Sequence, residues 1–284
     1  MFSVLIPVGP GDADLHRLDD LLSSIRRHAR TSEIQLVLID DAPSRRHLED
    51  RCGSGWRATD IIQTPIWKKG RPDARLAMTV GTLCGMVAAS LEAEFVLKLD
   101  TDALIVGEFA KRLSGVFAAD PQLGIVGSYD RTCTGGIRDW SVWVPALKRA
   151  TRRISLRSPR RVTAARRLLA AALARGQYEL GAHCLGGAYA VSPALARRRD
   201  LLRWEPWVGS GLGEDVVMGV LCAAAGLHMQ SMTATGEPFG LSHVGLPGPP
   251  EWLLARGHSI VHAVKDPDTR VEADMRARLQ EAAA

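Results

Sequence analysis

The sequence predicts an α/β fold, a single domain whose mostly parallel central sheet is flanked by helices and carries a basic helical insert. Two observations predict it. Short apolar runs alternate with segments of helical periodicity through the first third of the 284 residues, the pattern of a parallel sheet covered on both faces. Acidic residues then follow two of those runs, at the sheet edge where ligands of such folds bind.

The elements follow in order. Phe2-Ser3-Val4-Leu5-Ile6-Pro7 is a first buried strand, closed by Val8-Gly9-Pro10-Gly11. Residues 15–28 have helical spacing, with Leu15, Leu18, Leu21, Leu22 and Ile25 on one face. Residues 34–39 form a second strand, stopped by Asp40-Asp41-Ala42-Pro43, and 60–63 a short third. An amphipathic helix spans 77–91, and Phe95-Val96-Leu97-Lys98-Leu99 is a further strand ending at Asp100-Thr101-Asp102. Residues 123–128 read as a strand, whereas 130–180 are irregular, basic and rich in Trp, with a helix over 160–175 that sets Ala and Leu against Arg. Order resumes over the Gly-rich residues 181–192, with a helix from about 193 and another opening at Glu214-Asp215. A charged tail after 265 ends in a helix over 271–281. With no repeat and no linker composition, residues 1–265 form one domain: a nucleotide-binding half (1–130), the basic insert (131–180) and an acceptor and catalytic half (181–265). Residues 266–284 are the tail.

Bulk properties exclude several classes. The five cysteines, Cys52, Cys84, Cys133, Cys184 and Cys222, have no CxxC spacing and are read as reduced structural thiols. The longest mostly apolar stretch, 76–91, is too short to cross a membrane, and the chain opens directly on a strand, so a cytoplasmic protein is expected. The net charge of +5 comes from one segment: residues 148–175 carry ten Lys/Arg and no acid, and the remainder has 26 basic against 31 acidic residues. One basic segment is no argument for nucleic-acid binding. It is a solvated helix face, or it grips an anionic acceptor, a membrane surface or a phosphate-bearing lipid carrier.

Carboxylates two residues apart after a strand, as in Asp100-Thr101-Asp102, can hold a hard cation such as Mg²⁺ or Mn²⁺ and reach a ribose. Such a cation stabilises the negative charge that grows on a departing diphosphate. Standing alone, the tripeptide reads more readily as a strand-ending turn. Asp40-Asp41 on the same sheet edge, with a carboxylate for a uracil imide or ribose hydroxyl, and Gly213-Glu214-Asp215 opening an apolar helix, make a shared site the better reading. Acids at a helix N-terminus also have a dipole explanation.

Phe95-Val96-Leu97-Lys98-Leu99-Asp100-Thr101-Asp102 resembles the strand and metal motif of GT-A glycosyltransferases, a Rossmann-like fold. It is similar above all to the Lys-x-Asp-Asp-Asp form of the β-1,3-galactosyl- and N-acetylglucosaminyltransferases. Gly186-Gly187-Ala188-Tyr189-Ala190-Val191-Ser192 resembles their Gly-Gly-x-Tyr-x-x-Ser segment, and Glu214-Asp215-Val216 their Glu-Asp-Val motif. Ser3-Val4-Leu5-Ile6-Pro7 with Leu38-Ile39-Asp40-Asp41 is as similar to the broad inverting family with many bacterial members. The resemblance covers about residues 2–245, leaving 131–180 without a counterpart.

It implies a metal-dependent transfer of sugar from a nucleoside-diphosphate sugar, a UDP-sugar by preference, to a carbohydrate, lipid-linked or small-molecule acceptor with inversion. Asp102 would bind the cation, with Asp100 on the metal or the ribose. Asp215 would be the general base, with Glu214 its alternate. His243, in Phe239-Gly240-Leu241-Ser242-His243, would be the third metal ligand, and His262 the runner-up. Pro7, Val8, Asp40, Asp41, Lys98 and Thr101 would face the nucleotide, although Thr101 departs from the triple-Asp pattern. Arg71 and Arg75 would neutralise phosphate. Gly186, Gly187, Glu214 and Trp207 would meet the sugars, Trp207 being chosen over Trp140, Trp143 and Trp204. A nucleotidyltransferase is the alternative enzyme, but Gly9-Pro10-Gly11 lacks the adjacent Arg or Lys that a triphosphate loop uses. A non-catalytic carbohydrate-binding module is the other, and it has no need of a base.

Overall fold

The computed structural model describes residues 1–64, 74–89, 91–152, 159–176 and 178–282. A seven-stranded sheet is built from β1 (Phe2–Val8), β2 (Ile34–Asp40), β3 (Ala58–Gln63), β4 (Val96–Leu99), β6 (Leu123–Gly127), β7 (Ala188–Val191) and β8 (His228–Ser231) in the order β3-β2-β1-β4-β7-β6-β8. All strands run one way except β7, which is antiparallel to both β4 and β6. The expected mostly parallel sheet is therefore present, with one reversed strand at its centre.

Side-chain alternation divides the core between the two faces of this sheet. Val4, Ile6, Leu36 and Leu38 pack with Leu18, Leu21, Leu22 and Ile25 of α1 (Asp12–His28). Leu5, Val37 and Ile39 pack on the opposite face with Leu83 and Met86 of α3 (Ala74–Ala88). Helix α3 comes close because Gly81 and Gly85 carry no side chain: a Cβ on Gly85 would collide with Leu5 and Ile39. The same layer holds α8 (Glu214–Ala224), which is buried almost all round.

Two features went beyond the expected pattern. The segment expected to be irregular contains α5 (Val144–Arg152) as well as α6 (Pro159–Ala174), and Ala165, Leu169 and Ala172 of α6 join the core beneath α8. A second sheet, in the order β5-β10-β9, joins β5 (Leu104–Ile105), β9 (Phe239–Leu241) and β10 (Ile260–His262). Helices α2 (Glu49–Cys52), α4 (Ala110–Ala119), α7 (Pro193–Ala196), α9 (Pro250–Ala255) and α10 (Thr269–Ala282) complete the order. All five cysteines are free thiols. No helix among the described residues is long and apolar enough to cross a membrane.

Candidate active site

Strand β4 ends at Leu99, and the turn that follows delivers Asp100 and Asp102 to the carboxyl edge of the main sheet. Immediately afterwards β5 pairs antiparallel with β10 in the register Val261↔Leu104. That register carries His262 back to the turn. Its Nε2 lies 3.1 Å from Asp102 Oδ1, and one donor atom from each of Asp100, Asp102 and His262 falls within 4.8 Å of the others. His262 Nδ1 sits 3.0 Å from the Ser242 carbonyl, which can only accept, so Nδ1 carries the proton. Nε2 is thereby the ring nitrogen left facing the carboxylate oxygen, the position from which it could join the two aspartates in holding a cation. The mixed O,O,N donor set fits Mn²⁺ and also accommodates Mg²⁺.

The histidine therefore differs from the first expectation. His243 is exposed and lies outside this cluster. The chain leaves β9 after Leu241, and the segment contributes the Ser242 carbonyl that orients His262. Lys265, absent from the sequence reading, places its half-exposed ammonium 2.6 Å from Asp102 Oδ2. Burial opposes charge on Asp102, but hydrogen bonds from His262 and Lys265 prevail and hold its carboxyl below the ordinary carboxylate range.

Lys98, expected to face the nucleotide, has its partners inside the fold. It is fully buried under the turn, 2.5 Å from Asp100 Oδ1 and 3.0 Å from Glu214 Oε1, and donates to the Gly186 carbonyl. Burial works against its ammonium, yet the two carboxylates outweigh it and hold its pKa above the ordinary range. Lys98 thus ties the acidic turn of β4 to the first turn of α8.

Glu214 is committed to this ion pair, whereas its neighbour is not. Asp215 keeps Oδ1 on the Val216 N–H at 2.8 Å and turns Oδ2 toward His183 Nε2 at 3.5 Å. Burial raises the Asp215 carboxyl above its usual value, against the pull of the Val216 amide, Lys98 and Arg138. His183 is held by the Gly181 carbonyl at 2.7 Å and by Arg138 at 3.1 Å from Nε2. Burial and Arg138 push its imidazole down to about 4, so it is neutral. The two glycines before β7 fill the space between these groups. A Cβ on Gly187 would collide with the His262 ring, and one on Gly186 would press on Glu214 and Asp215.

On the nucleotide side, Pro7 and Val8 close β1 at the same edge. Asp40 is fully buried and internally satisfied: Arg46 meets Oδ1 at 2.6 Å and the backbone amides of Ala42 and Arg46 bind its oxygens at 3.1 and 2.9 Å. It shapes the loop rather than presenting a carboxylate to a ligand. Asp41, next along, is buried with its amide on the Val8 carbonyl. Thr101 is buried above α1, 3.5 Å from Asp14.

Arg71 lies outside the described residues. Arg75, exposed on the first turn of α3, stacks 5.6 Å over Trp143, whose ring in turn meets His183 edge-on at 6.2 Å. That contact brings Arg75 to the Asp215 side. Trp207 is a core residue at 1% exposure, because the turn that holds it packs against α6. Trp140 is buried against Tyr129 and Trp204 packs on the core, so of these four it is Trp143 whose ring reaches the His183 beside Asp215.

No family model and no curated protein matches the chain. Among solved structures it is similar to the galactosyltransferase LgtC in complex with donor and acceptor sugar analogs, at 12% identity and a TM-score of 0.51, covering 99% of this chain and 96% of that one. It is also similar to the mannosyltransferase PcManGT from Pyrobaculum calidifontis in complex with GDP-Man and Mn²⁺, at 15% identity and a TM-score of 0.44, over 90% of this chain. The match to S. aureus TarS, at 19% identity and a TM-score of 0.33, covers 44% of this chain. The chain spans 21% of that TarS chain and 60% of PcManGT. The likeness to LgtC along nearly the whole of both chains shows that this protein has the fold of the GT-A glycosyltransferases.

Proposed function

We propose that the protein is a metal-dependent glycosyltransferase that moves a sugar from a nucleoside-diphosphate sugar, with UDP the preferred nucleotide, to an acceptor hydroxyl with inversion. The observation that carries this reading is the convergence of Asp100, Asp102 and the Nε2 of His262 on one point at the sheet edge, with Asp215 at the start of the adjoining helix. Asp100, Asp102 and His262 would hold Mn²⁺ or Mg²⁺, and the cation, when bound, would supply Lewis-acid stabilisation to the diphosphate. Lys265 adds a positive charge beside it. Pro7, Val8 and Asp41 border the nucleotide, and Asp40, through Arg46, shapes the loop beside them.

Asp215 is the base of choice because, among the described residues, its Oδ2 meets no Lys or Arg within ion-pair distance, while Glu214 is spent on Lys98. The acceptor oxygen attacks the anomeric carbon, the bond to the diphosphate breaks, and the acceptor proton passes to Asp215. A bare carboxylate in a largely buried position takes that proton readily. The neutral His183 behind it can accept a hydrogen bond from the acid so formed. Trp143 offers the acceptor a flat aromatic face beside the base.

Thermal shift tests the reading directly, because a ligand that binds only the folded chain raises its melting temperature. UDP with Mn²⁺ should stabilise the protein where UDP alone does not, and Asp102→Ala should remove the difference. An unchanged UDP affinity of that variant in Mn²⁺ would sink the metal assignment.

A further inference from the structure

The C-terminal helix bears on the metal site through one buried arginine. Arg276, 5% exposed, donates from Nε to Glu272 at 3.2 Å, from Nη1 to Asp20 at 3.2 Å and from Nη2 to the Val264 carbonyl at 2.9 Å. Glu272 is itself gripped by Arg17 through both oxygens, at 2.7 and 2.6 Å, and accepts from the Asp266 amide at 3.2 Å. Val264 is held on its other side as well, its amide donating to the Asp102 carbonyl at 2.7 Å. The short strap 262–265 is therefore fixed from both sides, and it carries His262 and Lys265, the two groups that reach the Asp102 carboxylate.

Apolar packing of Leu279 with Val264, Leu104, Leu253 and Val261 already docks α10 on the second sheet. A buried ion cluster adds little net stability to such a contact, since desolvation offsets most of its Coulomb gain. What it adds is direction. We propose that Arg276 is a positioning residue for the metal site, setting the strap so that His262 Nε2 and Lys265 Nζ meet Asp102. Groups behind metal ligands have this effect elsewhere, and their loss weakens metal affinity by about 10- to 100-fold.

The test uses the full chain with Arg276→Met, and with Arg278→Met as control. Arg278 lies on the same helix but is half exposed and pairs with Glu251 at 2.5 Å. Amide hydrogen exchange of the metal-free proteins should show the 258–266 region of Arg276→Met exchanging faster than wild type, with β1 and β2 unchanged. Mn²⁺ titration should show affinity falling about tenfold or more in Arg276→Met and staying within about twofold in Arg278→Met. A folded Arg276→Met with wild-type exchange and Mn²⁺ affinity overturns the proposal, as does an equal loss in Arg278→Met. If Arg276→Met does not fold, Glu272→Gln decides on the same two readings. The titration rests on the metal reading above and the exchange does not. Failure of the wild type to bind Mn²⁺ therefore rejects that reading, while a fast-exchanging strap still supports the positioning role of Arg276.

Discussion

At the scale of single residues, Glu214 and Asp215 are adjacent carboxylates with opposite duties, and the difference is one of partners. Glu214 faces the buried ammonium of Lys98, whereas Asp215 faces the lone pair of a neutral imidazole. Asp215→Asn should leave UDP and Mn²⁺ binding intact and stop transfer. It should also stabilise the fold at neutral pH. A carboxyl whose folded pKa lies above its unfolded value loses stability on ionising, so the loss is present above the folded value and absent below the unfolded one. The variant should melt higher than wild type at pH 7, by roughly 2–4 °C for each kcal/mol relieved, and the gap should close as pH falls through the carboxylate range. In the wild type, the acid limb of kcat/KM should lie above the ordinary Asp range. A melting temperature lower than wild type at pH 7 would contradict the burial argument. Both acids were legible through the Glu-Asp-Val resemblance, but nothing in the sequence distinguishes their partners. His183, Arg138 and Lys265 stand alone in sequence, and only folding gathers them. His262 had a weak signal, the strand-like Ile260-Val261-His262, and lost to His243 because the register of β10 with β5 is a long-range fact.

At the scale of elements, the site is a junction of four: the end of β4, the start of β7, the end of β10 and the first turn of α8. β7 runs antiparallel between β4 and β6, so its N-terminal Gly186-Gly187 arrives at the edge where the parallel strands end. The Asp100 amide donates to the Gly187 carbonyl at 2.9 Å, and the missing side chains leave room for His262 on one side and the acidic pair on the other. The glycines are thus joints, and their substitutions should fail in different ways. Gly187→Ala pushes on the His262 ring and should weaken Mn²⁺ affinity by about tenfold, the lower end for a misplaced ligand. Gly186→Ala pushes on Glu214 and Asp215 and should lower kcat with Mn²⁺ affinity retained. Equal effects of the two on metal binding would refute this division. The Gly-Gly pair was legible in the sequence as a motif, but its reason, close approach of two different groups to two successive α-carbons, was not.

At the scale of the molecule, the doubly covered sheet was readable because alternation of apolar runs and helical periods is local, whereas of the insert only the helix over 160–175 was, because its packing on α8 is a long-range fact. Residues 148–175 look from composition like a basic arm. In the fold, Leu147, Ala165, Leu169 and Ala172 are core residues, while Lys148, Arg149, Arg166 and Arg167 are exposed. An amphipathic helix that spends its apolar face on the protein interior cannot also lay that face into a bilayer. Any attraction of this segment to an anionic surface is then electrostatic, screened over about 8 Å at physiological salt. Two substitutions separate the faces. Leu169→Ala should destabilise the whole domain by about 2–4 kcal/mol through lost burial and the cavity left behind, read as a shifted denaturation midpoint with an unchanged slope. Neutralising Lys148, Arg149, Arg166 and Arg167 together should leave that midpoint nearly in place, because exposed charges contribute little, and should abolish any binding to anionic vesicles. Vesicle binding by the neutralised protein that persists at about 0.5 M salt, where the Debye length has shrunk to a few ångströms, would mean that an apolar surface outside α6 makes the contact.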